Sequence, residues 1–276
     1  MESTELLRSL DEGVLTITLN RPEVYNALTM AMWRELLTIL EEAAMDPAVR
    51  VVVITGAGNA FCTGADVRSF GTVDEGDPLA VRYSDDPVWM DTELRIARNI
   101  KNAGISELLH GMGKPTIAAV RGPAAGAGFS FAAACDFRIA TETASFSAAF
   151  ARIGTSGDHG ICYYLTHLIG PTKARELLFL SAKTTAEEAL KLGLVSRVVP
   201  DDQLESEVRA FARELASGPA VALRLIKQNL LAAETERLND VIELEARNMV
   251  RTLQTEDSKE AVRAFREKRT PEFKGR

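Results

Sequence analysis

Apolar and β-branched residues alternate with polar ones from Val14 to Leu19, the period of a strand with one buried face. Asn20-Arg21-Pro22 ends that run. Thr29 then reads as the N-cap of a helix reaching about Ala44, because Met32, Leu36, Ile39, Leu40 and Ala43 recur at helical spacing and make one apolar face. Val51–Ile54 and Thr116–Val120 are of another kind: their apolar character does not alternate, which suits strands of a parallel sheet covered on both faces. Phe137–Ala140 and Ala144–Phe146 read as further short strands. Strand, helix and strand in succession imply an α/β layer with crossover helices. Beyond His159 the pattern turns mostly helical, with a strand at Leu194–Val199 and helices at Asp201–Ser217, Pro219–Ala233, Arg237–Leu253 and Ser258–Lys268, before a tail through Pro271. Val67 to Asp91 is rich in Asp, Glu, Gly and Pro and has little period; it reads as a long loop or flap, with Phe70 and Trp89 as candidates to line a pocket beneath it.

Composition narrows the function classes. With 276 residues, 46% hydrophobic and 26% charged, the chain suits one large globular domain, or one with a small appendage. A net charge of −7 argues against a nucleic-acid partner. The cysteines Cys62, Cys135 and Cys162 show neither disulfide nor metal spacing, which points to a reducing cytoplasm and no metal site. The first residues carry Glu2, Glu5, Arg8, Asp11 and Glu12 and no apolar signal core, and the least polar stretch, Gly122–Cys135, is too short to span a bilayer.

Two small-residue loops carry the chemistry. The first, Ala60-Phe61-Cys62-Thr63-Gly64-Ala65-Asp66, follows the buried strand at Val51. The second, Gly122-Pro123-Ala124-Ala125-Gly126-Ala127-Gly128, follows the strand ending at Val120. A loop between a strand and a helix start can aim free backbone N–H groups at one point, and small side chains let a ligand approach them. Two such groups converging would make an oxyanion hole. The same residues also serve tight helix–sheet packing, so neither loop decides alone. A dinucleotide fingerprint is excluded by the missing third glycine, and a phosphate loop by the absence of Lys-Ser or Lys-Thr after the glycines.

Together with Asn20-Arg21-Pro22, Asn26-Ala27-Leu28, Lys114-Pro115, Leu192-Gly193-Leu194-Val195 and Phe273-Lys274, the two loops resemble the enoyl-CoA hydratase/isomerase, or crotonase, family over nearly the whole chain. The resemblance implies an α/β crotonase-like (ClpP/crotonase) spiral of ββα units over residues 1–200. It implies a helical region over 201–276 that trimerises, alone or as a dimer of trimers, and closes the CoA pocket. It implies a coenzyme A thioester as substrate in fatty acid metabolism, with no permanently bound cofactor. The oxyanion amides fall at Ala65 and Ala127, and the CoA-side contacts at Ala27, Phe61, Thr63, Gly64, Ala65 and Asp66, with Asp66 also fixing its own loop. Phe273 and Lys274 resemble residues that reach a neighbouring subunit's CoA.

The chain departs from the family where hydratases place two glutamates around a water. Ser130 stands at the first position and Phe150 near the second, so hydration by the usual pair of carboxylates is not expected, although the oxyanion hole is kept. The resemblance places Asp158 where several family members, isomerases and an aryl-CoA dehalogenase among them, carry a catalytic carboxylate, although an aspartate before a helix is also a good N-cap. A single base is enough to move a double bond. The expectation is therefore an enoyl-CoA isomerase with Asp158 as proton carrier, Ser130 orienting water or substrate, and His159 as a second acid–base candidate. His110 and His167 read as structural. A variant hydratase or acyl-CoA hydrolase using Asp158 or His159 to activate water, and an acyl-CoA-binding homologue without turnover, are the alternatives.

Overall fold

A computed structural model of the protein describes residues 4–66, 68, 81–82, 84–85 and 91–276. The expected flap, with Phe70 and Trp89, lies almost wholly outside the described residues.

The main sheet has six strands in the order β1 (Leu6–Asp11), β2 (Val14–Leu19), β3 (Val51–Gly56), β4 (Thr116–Val120), β6 (Phe137–Thr141) and β9 (Arg197–Val199). Only β1 and β2 are antiparallel; the other neighbours run parallel. A smaller sheet joins β5 (Pro123–Ala125), β7 (Ser145–Ser147) and β8 (Thr184–Thr185). The nine helices of the described residues are α1 (Met30–Met45), α2 (Thr92–Gly111), α3 (Ala127–Ala134), α4 (Ile161–Leu180), α5 (Ala186–Lys191), α6 (Leu204–Ser217), α7 (Ala220–Thr235), α8 (Leu238–Leu253) and α9 (Glu256–Glu267). α4 is broken at Gly170, whose φ of 76° is not helical, just before Pro171.

Period-two alternation sorts the main sheet into two cores. Val14, Val51, Val53, Ile117, Ala119, Ile139 and Val199 face Leu204, Val208, Ala212 and Ala216 of α6. Leu15, Ile17, Leu19, Val52, Ile54, Ala118, Val120 and Ala140 face the larger core, where Met32, Leu36 and Leu40 of α1 meet Ile105 and Leu109 of α2 and Phe129 and Phe131 of α3. Both faces of β3 and β4 are therefore covered, as their unalternating sequence requires. Thr29 caps α1 by accepting from the Met32 amide.

The structure corrects several boundaries. The strand expected at Leu194–Val199 begins only at Arg197, because Gly193 takes a φ of 74° and the Leu194 amide turns back to donate to the Ala189 carbonyl. A single 3₁₀ turn, Asp201–Gln203, precedes α6. α9 starts at Glu256 because Thr255, not Asp257, supplies the cap. The sequence reading had no assignment for β1, for α2 apart from its end near Gly111, or for β5, β8 and α5. No helix among the described residues is long and apolar enough to cross a membrane.

Candidate active site

The first loop is shaped by a buried amide and a buried guanidinium. Asn26, fully buried and left-handed at φ 57°, donates from Nδ2 to the carbonyls of Ala57 (2.9 Å) and Ala60 (2.8 Å) and accepts the Arg21 amide at 2.8 Å. Arg21 reaches the Ala27 carbonyl at 2.6 Å, Glu5 at 3.1 Å and the Asp66 carboxylate at 3.2 Å. Arg68 holds the same carboxylate at 2.7 Å, and these hydrogen bonds keep Asp66 far below the usual carboxylate range. Asp66 is thus committed to fixing its own loop.

That frame sets the direction of the Ala65 amide. Ala65 forms a single parallel bridge with Leu28, made by its neighbours: the Leu28 amide donates to the Gly64 carbonyl and the Asp66 amide to the Leu28 carbonyl. In a parallel bridge of this kind the residue between those two bonds turns its own N–H to the opposite side. The Ala65 N–H has no acceptor among the described residues.

The second loop ends at the start of α3. All eight residues of this helix are buried and no side chain caps it. Its first internal hydrogen bond runs from the Ser130 amide to the Gly126 carbonyl, so the amides of the first turn lack partners within the helix. Buried, uncapped helix starts hold a positive partial charge and free donors, a natural place for a developing negative charge. Gly126 enters this turn at φ 52° and ψ −128°, a conformation closed to other residues.

The two loops meet. The Cys62 amide donates to the Pro123 carbonyl and the Ala125 amide to the Cys62 carbonyl. A Cβ placed on Gly64 would stand 3.2 Å from the Ala127 nitrogen and 3.1 Å from the Ala125 carbonyl oxygen. A Cβ on Gly128 would fall 2.3 Å from the Cys62 carbonyl oxygen. The absence of side chains at 64 and 128 is what lets the backbones of Ala65 and Ala127 approach a common space.

Asp158 belongs to a third loop, which a serine ties to the second. Ser130 is fully buried in α3, and its hydroxyl lies 3.3 Å from both the Gly126 carbonyl and the Asp158 carbonyl. Asp158 does not cap α4: Gly160 holds the N-cap position, and no helix amide donates to the Asp158 side chain. Oδ1 of Asp158 is buried without a partner, while Oδ2 faces Nε2 of His159 at 3.7 Å. Burial pushes the Asp158 carboxyl up from its ordinary value. His159 lies almost flat on Trp33 (ring centroids 4.7 Å apart, planes at 16°) and meets the edge of Phe131 at 5.4 Å. Burial lowers its imidazole to about 4, so it is neutral at physiological pH.

The other expected site residues have the following surroundings. Phe61 is fully buried in the core, with its amide and carbonyl engaged by Pro123 and Asn26. Thr63 is bound through its amide and hydroxyl to the Tyr25 carbonyl, and Ala27 is buried with its carbonyl on Arg21. Phe150 is buried and packs beside Gly157. Phe273 and Lys274 touch neither loop; the amides of Lys274 and Gly275 donate to the buried Asp257 carboxylate at 2.6 and 2.8 Å, which anchors the tail to α9. His110 pairs with Glu234 at 3.2 Å, and His167 contacts the Tyr163 carbonyl at 2.9 Å. Cys62 adjoins the first loop, but burial pushes its thiol up to about 12, too high for a nucleophile. Sequence reading missed the contacts of Arg21, Asn26 and Trp33, although the Asn-Arg-Pro and Asn-Ala-Leu triplets marked the first two.

The chain is similar to known proteins over almost its whole length. The family described as Enoyl-CoA hydratase/isomerase matches residues 9–93 and 98–276. A protein of Rhodobacter capsulatus named "Probable enoyl-CoA hydratase" is 38% identical over 267 residues, covering 97% of this chain and 96% of its own. The 1,2-epoxyphenylacetyl-CoA isomerase of Escherichia coli is 33% identical over 271 residues, 98% of each chain. Among solved structures, an enoyl-CoA hydratase from Bacillus anthracis superposes with a TM-score of 0.87 at 31% identity, covering 99% of this chain and 100% of that one. The fold is therefore the crotonase-like α/β spiral with a helical C-terminal region, its relatives are named as hydratases and isomerases, and the chain belongs to the enoyl-CoA hydratase/isomerase family.

Proposed function

We propose that the protein shifts a double bond in an enoyl-CoA, with Asp158 carrying the proton and the amides of Ala65 and Ala127 holding the thioester oxygen. The carboxylate of Asp158 removes a proton from the carbon next to the thioester carbonyl. The electron pair moves onto the carbonyl oxygen, giving a dienolate whose charge the two amides stabilise, and the carboxylic acid returns the proton two carbons further along. One acid is enough for this sequence of steps, whereas hydration needs groups that hold and split a water. Ser130 stands at the first position that would supply them and Phe150 near the second, and the single O–H of Ser130 is shared between two backbone carbonyls.

The observation that carries the reading is the Ser130 tie, which holds the backbone of Asp158 against the Gly126 turn from which Ala127 starts its helix, leaving the carboxyl uncommitted to capping. The test is conversion of a 3-enoyl-CoA to the 2-enoyl isomer by the wild type and by Asp158→Asn, in water labelled with oxygen-18. Loss of isomerisation in the variant, with no label entering the product of the wild type, is the expected result. Label in the product would assign a hydratase or hydrolase instead.

In this reading residues 201–276 assemble the oligomer and close the CoA pocket, with Phe273 and Lys274 on the CoA side. Support comes from apolar side chains that one chain leaves exposed on α8 and α9, among them Ile242, Met249, Val250 and Phe265. A homotrimer, or a dimer of trimers, would cover them, and light scattering of the purified protein reads the mass.

A further inference from the structure

His159 occupies a position where the backbone favours glycine. Its φ is 52°, between Gly157 at 99° and Gly160 at 75°, and left-handed backbone is uncommon for a residue with a side chain. What the side chain gains there is a fixed ring: stacked on Trp33, edged by Phe131 and only 4% exposed. Among the described residues Nδ1 is buried without a hydrogen-bond partner, and the only charged group paired with the ring is the Asp158 carboxyl, 3.7 Å from Nε2. An apolar ring would fill the same slot without burying two nitrogens.

We infer that His159 is a positioning residue for Asp158, a neutral imidazole whose Nε2–H donates to Oδ2 and holds that carboxylate charged and aimed at the substrate. The inference rests on the isomerase reading. Of the two neutral tautomers, the one protonated at Nε2 gives its hydrogen to the single anionic acceptor nearby and leaves a bare lone pair at Nδ1 among the aromatic rings. The other would bury an N–H with no acceptor and turn a lone pair toward a carboxylate. Oδ1 of Asp158 receives no donor, so without His159 the charged form of the base would have no side-chain hydrogen bond at all. Catalytic hydrogen bonds are often long before substrate binds and tighten in the complex, and the 3.7 Å separation is the one to shorten. Donation to the charged form favours it and so works against the burial that raises the Asp158 carboxyl.

Two variants and a spectroscopic measurement test this. His159→Phe keeps the stack on Trp33 and removes both nitrogens; His159→Gln returns an N–H donor near the position of Nε2. The expected result is a fall in kcat of about tenfold or more for the Phe variant with KM little changed, and recovery of most of that loss by Gln. Unchanged kcat in the Phe variant, or a Gln variant as slow as Phe, overturns the proposal. Should the Phe variant fail to fold, the tautomer decides: the chain has only three histidines, so nitrogen-15 NMR of histidine-labelled wild type resolves each ring. Protonation at Nε2 of His159 is expected, and protonation at Nδ1 contradicts it. Failure of the isomerase reading is distinguishable, because it shows as full activity in Asp158→Asn, whereas failure of this inference leaves that variant inactive and His159→Phe active.

Discussion

The two halves of the site are built from different materials. Around Ala65 and Ala127 the chain works with its backbone: the groups offered are amides, and the side chains there are small so as to stay out of the way. Around Asp158 it works with side chains: a half-buried carboxyl, a neutral imidazole and a serine that ties the loop down. Backbone donors specify the charge to be stabilised and are indifferent to the reaction. The side chains specify the reaction and say little about the charge. One family can therefore hold one kind of intermediate and run several reactions on it.

Breaking the side-chain half should have the largest effect. Asp158→Asn keeps the shape and removes the base, and a fall in isomerisation of about 10²–10⁴-fold is expected in a steady-state assay, with acyl-CoA binding by calorimetry retained. Breaking the backbone half comes next. Gly64→Ala places a methyl group 3.2 Å from the Ala127 nitrogen, on a residue whose φ is 89°, and both effects disturb the pair of amides. A loss of about 10²–10³-fold is expected, typical of one missing oxyanion donor, while Asp158 keeps its surroundings.

A third experiment reads the side-chain half by pH. His159 is lowered to about 4 in the folded protein from 6.5, so between those values the unfolded chain binds the extra proton and stability falls as pH falls. The contribution is complete above pH 6.5 and lost on the way to pH 4, on the order of 3 kcal/mol for a shift of this size. Denaturant melts across that range should show a shallower acid loss for His159→Phe than for the wild type. Asp158, raised by burial, works with the opposite sign and softens the wild-type slope, since acid relieves its buried charge. The smallest effect is expected from Asp66→Asn, which weakens the ties of the first loop to Arg21 and Arg68: about 1–3 kcal/mol of stability, read in the same melts, with a modest loss of activity.

The same division explains what could be read in the sequence. Val14–Leu19 and Thr116–Val120 were legible to the residue, because period and burial are local properties of the chain. The helix at Thr29 was legible because its cap is a short-range hydrogen bond. β5 and β8 were not: each has three residues or fewer and exists only through pairing with β7, a long-range event without local period. At the site, the glycines announced a close approach of backbones, but the reason Ala65 turns its amide outward lies in Asn26 and Arg21, some forty residues earlier. Asp158 could be seen as an acid before a helix, a cap by its spacing and a proton carrier by the family resemblance. Only the loop geometry, with Gly160 at the cap position, removes it from capping. The stack of His159 on Trp33 joins residues far apart in the chain, and nothing near either one signals it.

The central proposed step is removal by Asp158 of a proton from the carbon beside a thioester whose oxygen the Ala65 and Ala127 amides hold. Exchange of that proton with deuterium, followed by NMR on a saturated acyl-CoA in heavy water, reads the step without requiring any product. The account predicts exchange by the wild type, its loss in Asp158→Asn, and a deep reduction in Gly64→Ala. Exchange by Asp158→Asn at the wild-type rate would contradict it.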